Sequence, residues 1–163
     1  MVKTTNASNP LLFVVQKHNA SRLHYDFRLE LDGVLLSWAV PKRLSLNPSE
    51  RHLAIQMEDH PYAYKDFEGM IAKGNYGAGK VTIWDKGSYH WQQTLSRKES
   101  EKEMRKGIAN GHLKIFLKGK KLNGHFHFIR IKGTAWLIIK SKEQPKEGDT
   151  TTDKLIEKNH DKK

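Results

Sequence analysis

Apolar and polar positions alternate along much of this chain with the two-residue period of a β-strand. RLHYDFRLEL (22–31) alternates strictly, Asp32-Gly33 supplies a tight-turn dipeptide, and VLLSWAV (34–40) returns. Residues 22–40 therefore read as a hairpin. LLFVVQK (11–17) is a short apolar run ahead of it, and HLAIQME (52–58) alternates again and stops at Pro61. KVTIWD and SYHWQQ flank Lys86-Gly87, which predicts another hairpin, and GNYGAG (74–79) reads as a glycine-rich loop. Ser96 with Glu99 forms a capping-box pair and predicts one helix over about 97–106, ending at Gly107. HLKIFLKG, HFHFIRI and TAWLIIK complete the body as three further strands. The expected class is mainly β: a small closed or half-closed β-barrel of about eight strands with one or two short helices.

Two strands carry an unusual polar face. In 22–31, Leu23, Tyr25, Phe27, Leu29 and Leu31 share the core face, and His24, Asp26, Arg28 and Glu30 share the other. A solvated strand face more commonly carries Lys, Glu and Thr, so this row is a set of catalytic side-chain types. A salt-bridged surface row is the plain alternative. In 52–60, Leu53, Ile55 and Met57 are expected to point inward, and His52, Gln56, Glu58 and His60 outward with Ala54 among them. If the two strands share a sheet, their rows form one polar concavity.

Outside the body, residues 1–10 read as a polar arm and 144–163 as a polar, mobile tail with at most a short helix, leaving 11–143 as one domain. The 163 residues lack cysteine, which excludes disulfides, thiolate zinc sites and a thiol nucleophile. No stretch is long and apolar enough for a membrane span, and the first residues lack the core of a secretory signal, so the expected location is cytoplasmic. Lys plus Arg exceeds Asp plus Glu by 29 to 18, a net charge of +11. A surplus that large points to a polyanionic partner, nucleic acid first.

Nine histidines change the picture further. His18 lies in the polar turn KHNAS, six residues before His24, and leans over a face that offers His24 and Asp26. Two imidazoles and a carboxylate suit Mn, Zn, Co or Fe(II). Arg28 can fork onto two phosphate oxygens, His60 and Lys42 can add positive charge or a proton, and Tyr64 can hydrogen-bond a phosphate oxygen.

At these residues the chain resembles the 3′-phosphoesterase module of bacterial ATP-dependent DNA ligase D. FVVQKHNASRLHYDFRLELDGVLLSWAVPK (13–42) carries the resemblance, with EDHPYAYKDFEG (58–69), GNYGAGKVTIWDKG (74–87), LKGKKLNGHFHFIR (117–130) and WLIIK (136–140) as further blocks. The resemblance implies a small β-barrel enzyme that is usually manganese-dependent, with Zn2+ or Co2+ as alternatives. It implies trimming of a 3′-terminal ribonucleotide from a primer strand, then removal of the remaining 3′-phosphate to leave a 3′-hydroxyl. His18, His24 and Asp26 would be the metal ligands, and Arg28, His60 and Tyr64 would contact the scissile phosphate. Lys42, Glu58, Glu30 and His52 are supporting candidates, relatives often carrying arginine where this chain has His52. The expected partner is a duplex primer-template, held through its backbone by a monomer. With no room for ligase or polymerase modules, a free-standing version is expected, served by a separate ligase, polymerase or Ku-like protein.

Two other classes compete. One is a non-enzymatic, basic nucleic-acid-binding barrel on which Tyr76, Trp84, Tyr89 and Trp91 stack bases. The other is a cupin-like metalloprotein for a small molecule, which explains the histidines and not the charge.

Overall fold

A computed structural model describes residues 9–75 and 77–142. The polar arm 1–8, the tail from 143 onward and Tyr76 lie outside the described residues. Among the described residues nine strands form in chain order: β1 (Leu11–Asn19), β2 (Leu23–Leu31), β3 (Val34–Val40), β4 (Arg51–Pro61), β5 (Gly69–Ile71), β6 (Gly79–Trp91), β7 (His112–Gly119), β8 (Asn123–Lys132) and β9 (Ala135–Lys140). A 3-10 turn (Tyr62–Asp66) follows β4, and one helix, α1 (Arg97–Asn110), links β6 to β7. All pairings are antiparallel in the order β1-β2-β3-β4-β9-β8-β7-β6, and β6 returns to β1. The result is the closed eight-stranded barrel expected from the pattern, with β5 as a short addition on β6.

Aromatic rings fill the barrel. Trp38 packs edge-on against Phe128 and Trp136, and Phe27 against Phe128, with centroids 5.1–5.5 Å apart. Tyr89 and Trp91 are buried in this core, and Trp84 is packed against it, so the aromatics proposed as a base-stacking platform are mostly structural. Among the described residues, no helix is long and apolar enough to cross a membrane.

α1 lies across one mouth of the barrel. Met104 is fully buried, and Arg105 pairs with Asp32 in the β2–β3 turn at 2.7 Å. Ser96 caps the helix by accepting the Glu99 N–H, as the sequence predicts. The helix does not stop at Gly107. A Cβ there would meet the His112 carbonyl at 2.7 Å and Trp91 at 3.2 Å, so this glycine lets the helix press on the strands. The end comes at Gly111, in the left-handed conformation that closes helices.

Two further expectations are overturned. Lys86-Gly87 is not a turn: β6 runs straight through, because β1 pairs along one edge and β7 along the other. Gly87 serves close strand approach, since a Cβ there would fall on the Lys118 carbonyl. The faces of β4 are also inverted. Ala54 is fully buried directly across from Trp136, whereas Leu53 and Met57 are 46% and 38% exposed. The space beside two edge-packed tryptophans takes a methyl group, not a leucine. Leu23, at the exposed start of β2, likewise leaves the core face assigned to it.

These placements separate two similar-looking substitutions. Phe27→Ala should cost about 3–5 kcal/mol through the cavity it leaves, read by denaturant unfolding. Leu53→Ala should stay within about 0.5 kcal/mol of the parent protein.

Candidate functional site

The polar row of β2 faces the outside of the barrel wall, where neighbouring strands add to it through their register. Gln16 stands opposite Asp26 and His18 opposite His24 on β1, while Ser37 stands opposite Arg28 on β3. His60 reaches this face through an irregularity. β3 takes two steps from Leu35 to Ser37 while β4 takes three from His60 to Met57, which reverses the alternation of β4. The bulge therefore brings His60 onto the same side as Met57, and onto the side of Arg28. The 3-10 turn then lays Tyr64 over the row, its ring 4.9 Å from the Arg28 guanidinium carbon and 5.0 Å from the His60 ring.

The row is not the solvated surface that a strand face implies. Arg28 is 3% and Glu30 1% exposed. Arg28 donates from Nε to Gln16 Oε1 at 2.5 Å and from Nη1 to Ser37 Oγ at 2.7 Å, and Nη2 lies 3.6 Å from Asp26. Gln16, fully buried, also donates to the carbonyls of Tyr64 and Phe67, which ties the 3-10 turn to the sheet. Sequence reasoning missed Gln16 and Ser37. Their signal was their alternation parity: both fall at outward positions of otherwise apolar strands.

His18, His24 and Asp26 converge. His18 Nδ1 lies 3.4 Å from Asp26 Oδ2 and His24 Nε2 3.2 Å from Asp26 Oδ1, and one ligand atom from each residue falls within 4.8 Å of the others. The opposite ring nitrogens meet backbone carbonyls, His18 Nε2 that of Gly77 at 2.7 Å and His24 Nδ1 that of Arg22 at 3.3 Å. A carbonyl only accepts, so each of those nitrogens carries its proton. The nitrogens facing Asp26 are then lone pairs in the neutral rings. Two lone pairs and a carboxylate aimed at one point, with the far nitrogens anchored, is the donor set of a divalent transition metal. The three residues fit such an ion.

Electrostatics follow the packing. Burial opposes ionisation of Asp26, but the His24 hydrogen bond and the charges of Arg28, His24 and His18 outweigh it and hold its pKa below the ordinary value. The same hydrogen bond raises His24 above 6.5. Burial, then the Arg28 charge, lowers His60 and keeps it neutral, and burial raises Tyr64 and keeps its hydroxyl protonated.

A cleft of about 600 Å3 opens over these groups, lined by His18, His24, Asp26, Arg28, His60 and Tyr64, with Ala39, Met57, Ile71 and Ala78 on its apolar wall. Four sequence candidates lie elsewhere. Glu30 accepts from Arg97 of α1 at 2.8 Å and from the Leu12 N–H at 3.0 Å, which makes it a structural link. Glu58 is exposed and offers only its backbone carbonyl to His60. Lys42 is exposed beyond β3, and His52 faces Glu50 at 3.5 Å.

Fold and site together define a closed antiparallel barrel with a His-His-Asp cluster and a buried arginine in a cleft on its outer wall. The chain belongs to the DNA ligase D 3′-phosphoesterase domain family, whose sequence profile matches residues 16–130. It is 50% identical over 137 residues to the multifunctional non-homologous end joining protein LigD of Pseudomonas aeruginosa, covering 82% of this chain and 15% of that protein. The corresponding non-homologous end joining DNA repair protein LigD of Mycobacterium tuberculosis is 48% identical over 132 residues, covering 81% and 16%. The LigD of Mycolicibacterium smegmatis is 46% identical over 132 residues, covering 81% and 17%. The chain thus spans about one sixth of the length of these relatives.

The His24–Asp26 pair makes metal-free stability pH-dependent. A raised His24 pKa contributes stability below 6.5 that is lost as pH rises through the raised value. The lowered Asp26 contributes above 3.8 and loses this as pH falls through its lowered value. In EDTA, the stability gap between the parent protein and His24→Ala should therefore be larger near about pH 5.5 than near about pH 9, as urea unfolding would read.

Proposed function

We propose that this chain is a metal-dependent 3′-end-healing phosphoesterase of DNA repair, acting in non-homologous end joining. It would remove a 3′-terminal ribonucleotide as a phosphodiesterase and then the 3′-phosphate as a phosphomonoesterase, leaving a 3′-hydroxyl for a ligase. Family membership supports the class. The observation that carries the chemistry is the convergence of His18, His24 and Asp26 beside a buried, fully braced Arg28.

His18, His24 and Asp26 would hold a divalent cation, manganese by family resemblance, which supplies Lewis-acid polarisation of a phosphate oxygen. Arg28 is pre-aimed: Gln16 and Ser37 occupy its Nε and Nη1, leaving Nη donors for charge that builds on phosphate oxygens. No reorganisation is needed when that charge appears. The Tyr64 hydroxyl, kept protonated by burial, adds a neutral donor. His60 presents Nδ1 to the Glu58 carbonyl at 3.1 Å, so its Nε2 is a bare acceptor at neutral pH. That nitrogen is suited to take the proton of an attacking water as a phosphorus–oxygen bond breaks, P–O5′ of the terminal ribonucleotide in the first step and P–O3′ of the primer in the second, the departing oxygen taking a proton from solvent. The cleft is much larger than a phosphate group, and its apolar wall of Ala39, Met57 and Ile71 would accommodate sugar and base without reading sequence.

A 5′-labelled primer-template ending in one ribonucleotide tests the proposal. With manganese the ribonucleotide and then the phosphate should disappear, and EDTA should stop both, whereas a binding-only barrel would be unaffected. His24→Ala should reduce turnover to background in a protein that still unfolds cooperatively. Arg28→Lys keeps charge but loses the fork and its Gln16–Ser37 brace, so kcat should fall by about 10²–10³. Wild-type rates in either variant would remove the site assignment.

A further inference from the structure

Six exposed cations gather at one end of the barrel. Antiparallel order puts the ends of β1, β3, β7 and β9 at one mouth, with the starts of β2, β4, β6 and β8. Arg22 stands in the β1–β2 turn, Lys42 and Arg43 follow β3, Lys120 and Lys121 form the β7–β8 turn, and Lys142 follows β9. All six are exposed, and none forms an ion pair with a described carboxylate. The carboxylates nearby are engaged otherwise. Asp26 belongs to the cluster, Glu50 faces His52, and Asp85 is buried and accepts the backbone N–H groups of Lys120, Lys121 and Leu122 at 2.9, 3.2 and 2.8 Å. At the mouth covered by α1 three cations are paired, Arg105 with Asp32, Arg97 with Glu30 and Lys106 with Glu103, while Lys98, Lys102 and Lys132 are exposed.

Asp85 shapes the β7–β8 turn through its backbone N–H groups, and Lys121 Nζ adds a hydrogen bond to the Trp84 carbonyl at 2.7 Å. Lys121 Nζ lies 5.0 Å from the Trp84 ring, and Trp84 packs edge-on against Tyr25 at 5.6 Å. Tyr25 adjoins His24 in β2. The basic turn, the end of β1 and the start of β2 that carry the cluster lie at the same end of the barrel.

We infer that this mouth is the duplex-holding surface of the protein. Backbone phosphates behind the reactive 3′ end lie along Lys120, Lys121, Arg43 and Lys142, while the end itself reaches the cluster over the β1–β2 turn. The inference rests on the proposed nucleic-acid substrate and adds where the duplex runs. Exposed lysines act as point charges, and phosphates repeat along a duplex whatever its sequence, so binding here carries register and no base preference.

The test is binding of a labelled duplex of about 20 base pairs with a 3′-phosphate, read by anisotropy in EDTA over a range of salt concentrations. Each phosphate neutralised on duplex DNA contributes about 0.9 to the slope of log Kd against log salt. Replacing Lys120→Ala and Lys121→Ala together should therefore make that slope shallower by about 1–2 and weaken binding about tenfold. Lys98→Ala with Lys102→Ala removes the same charge from exposed positions of α1 and should leave affinity unchanged. On the primer-template, the rim pair should raise KM and leave kcat unchanged. An unchanged slope in the rim pair, or equal weakening by the two pairs, overturns the inference. Absence of hydrolysis by the parent protein, with the binding difference intact, removes the catalytic proposal and leaves this surface standing.

Discussion

Burial of the Arg28 guanidinium is the constraint on which the rest of the site depends. A cation 3% exposed within a barrel wall is tolerated only when its charge and its donors are met. Asp26 answers the charge, Gln16 and Ser37 answer the N–H groups, and Tyr64 covers the open face. Each of these partners has a second task. Asp26 gathers the two histidines, and Gln16 fastens the turn that carries Tyr64. Solving the desolvation of one side chain therefore assembles most of the cleft.

That assembly needs the alternation of β4 to be broken between Met57 and His60. Had β4 alternated regularly over the three steps from Met57 to His60, the histidine would face the aromatic core instead of the arginine. The same strand shows why apolar alternation misleads. Leu53, Ile55 and Met57 look like a core face, but the interior at that level is already filled by Trp38 and Trp136, and only Ala54 fits. Met57 instead forms part of the apolar side of the cleft. A strand can thus turn its larger hydrophobes outward where a binding cleft partly covers them.

Barrel closure also divides labour. The interior holds stability, the outer wall of β1, β2 and β3 holds the charged groups, and α1 covers one mouth. The other mouth carries exposed Arg22, Lys42, Arg43, Lys120, Lys121 and Lys142. Separating the core from the chemistry by one strand thickness lets consecutive residues such as Phe27 and Arg28 serve different ends.

Much of this was legible in the chain itself. The strict alternation of 22–31 around Asp32-Gly33 determined the hairpin, and Ser96 with Glu99 determined the helix start, because local turn and cap chemistry depend on neighbours in sequence. The His24 and Asp26 pair followed from parity along one strand, whereas His18, expected in a turn, lies in β1 opposite His24, where strand pairing brings it to the same face. The straight run of β6 through Lys86-Gly87, the helix passing Gly107 and the inverted face of β4 were not legible. Each depends on what lies across the sheet: a carbonyl where a Cβ would go, or a tryptophan already filling the space. Glu30 shows the same limit. Its row made it a site candidate, and only Arg97, 67 residues away on α1, turns it into a structural anchor. Sequence determines what a residue can do within a few positions of itself. Tertiary structure decides which of those capacities meets a partner, because a buried polar group must be satisfied by whatever the fold brings beside it.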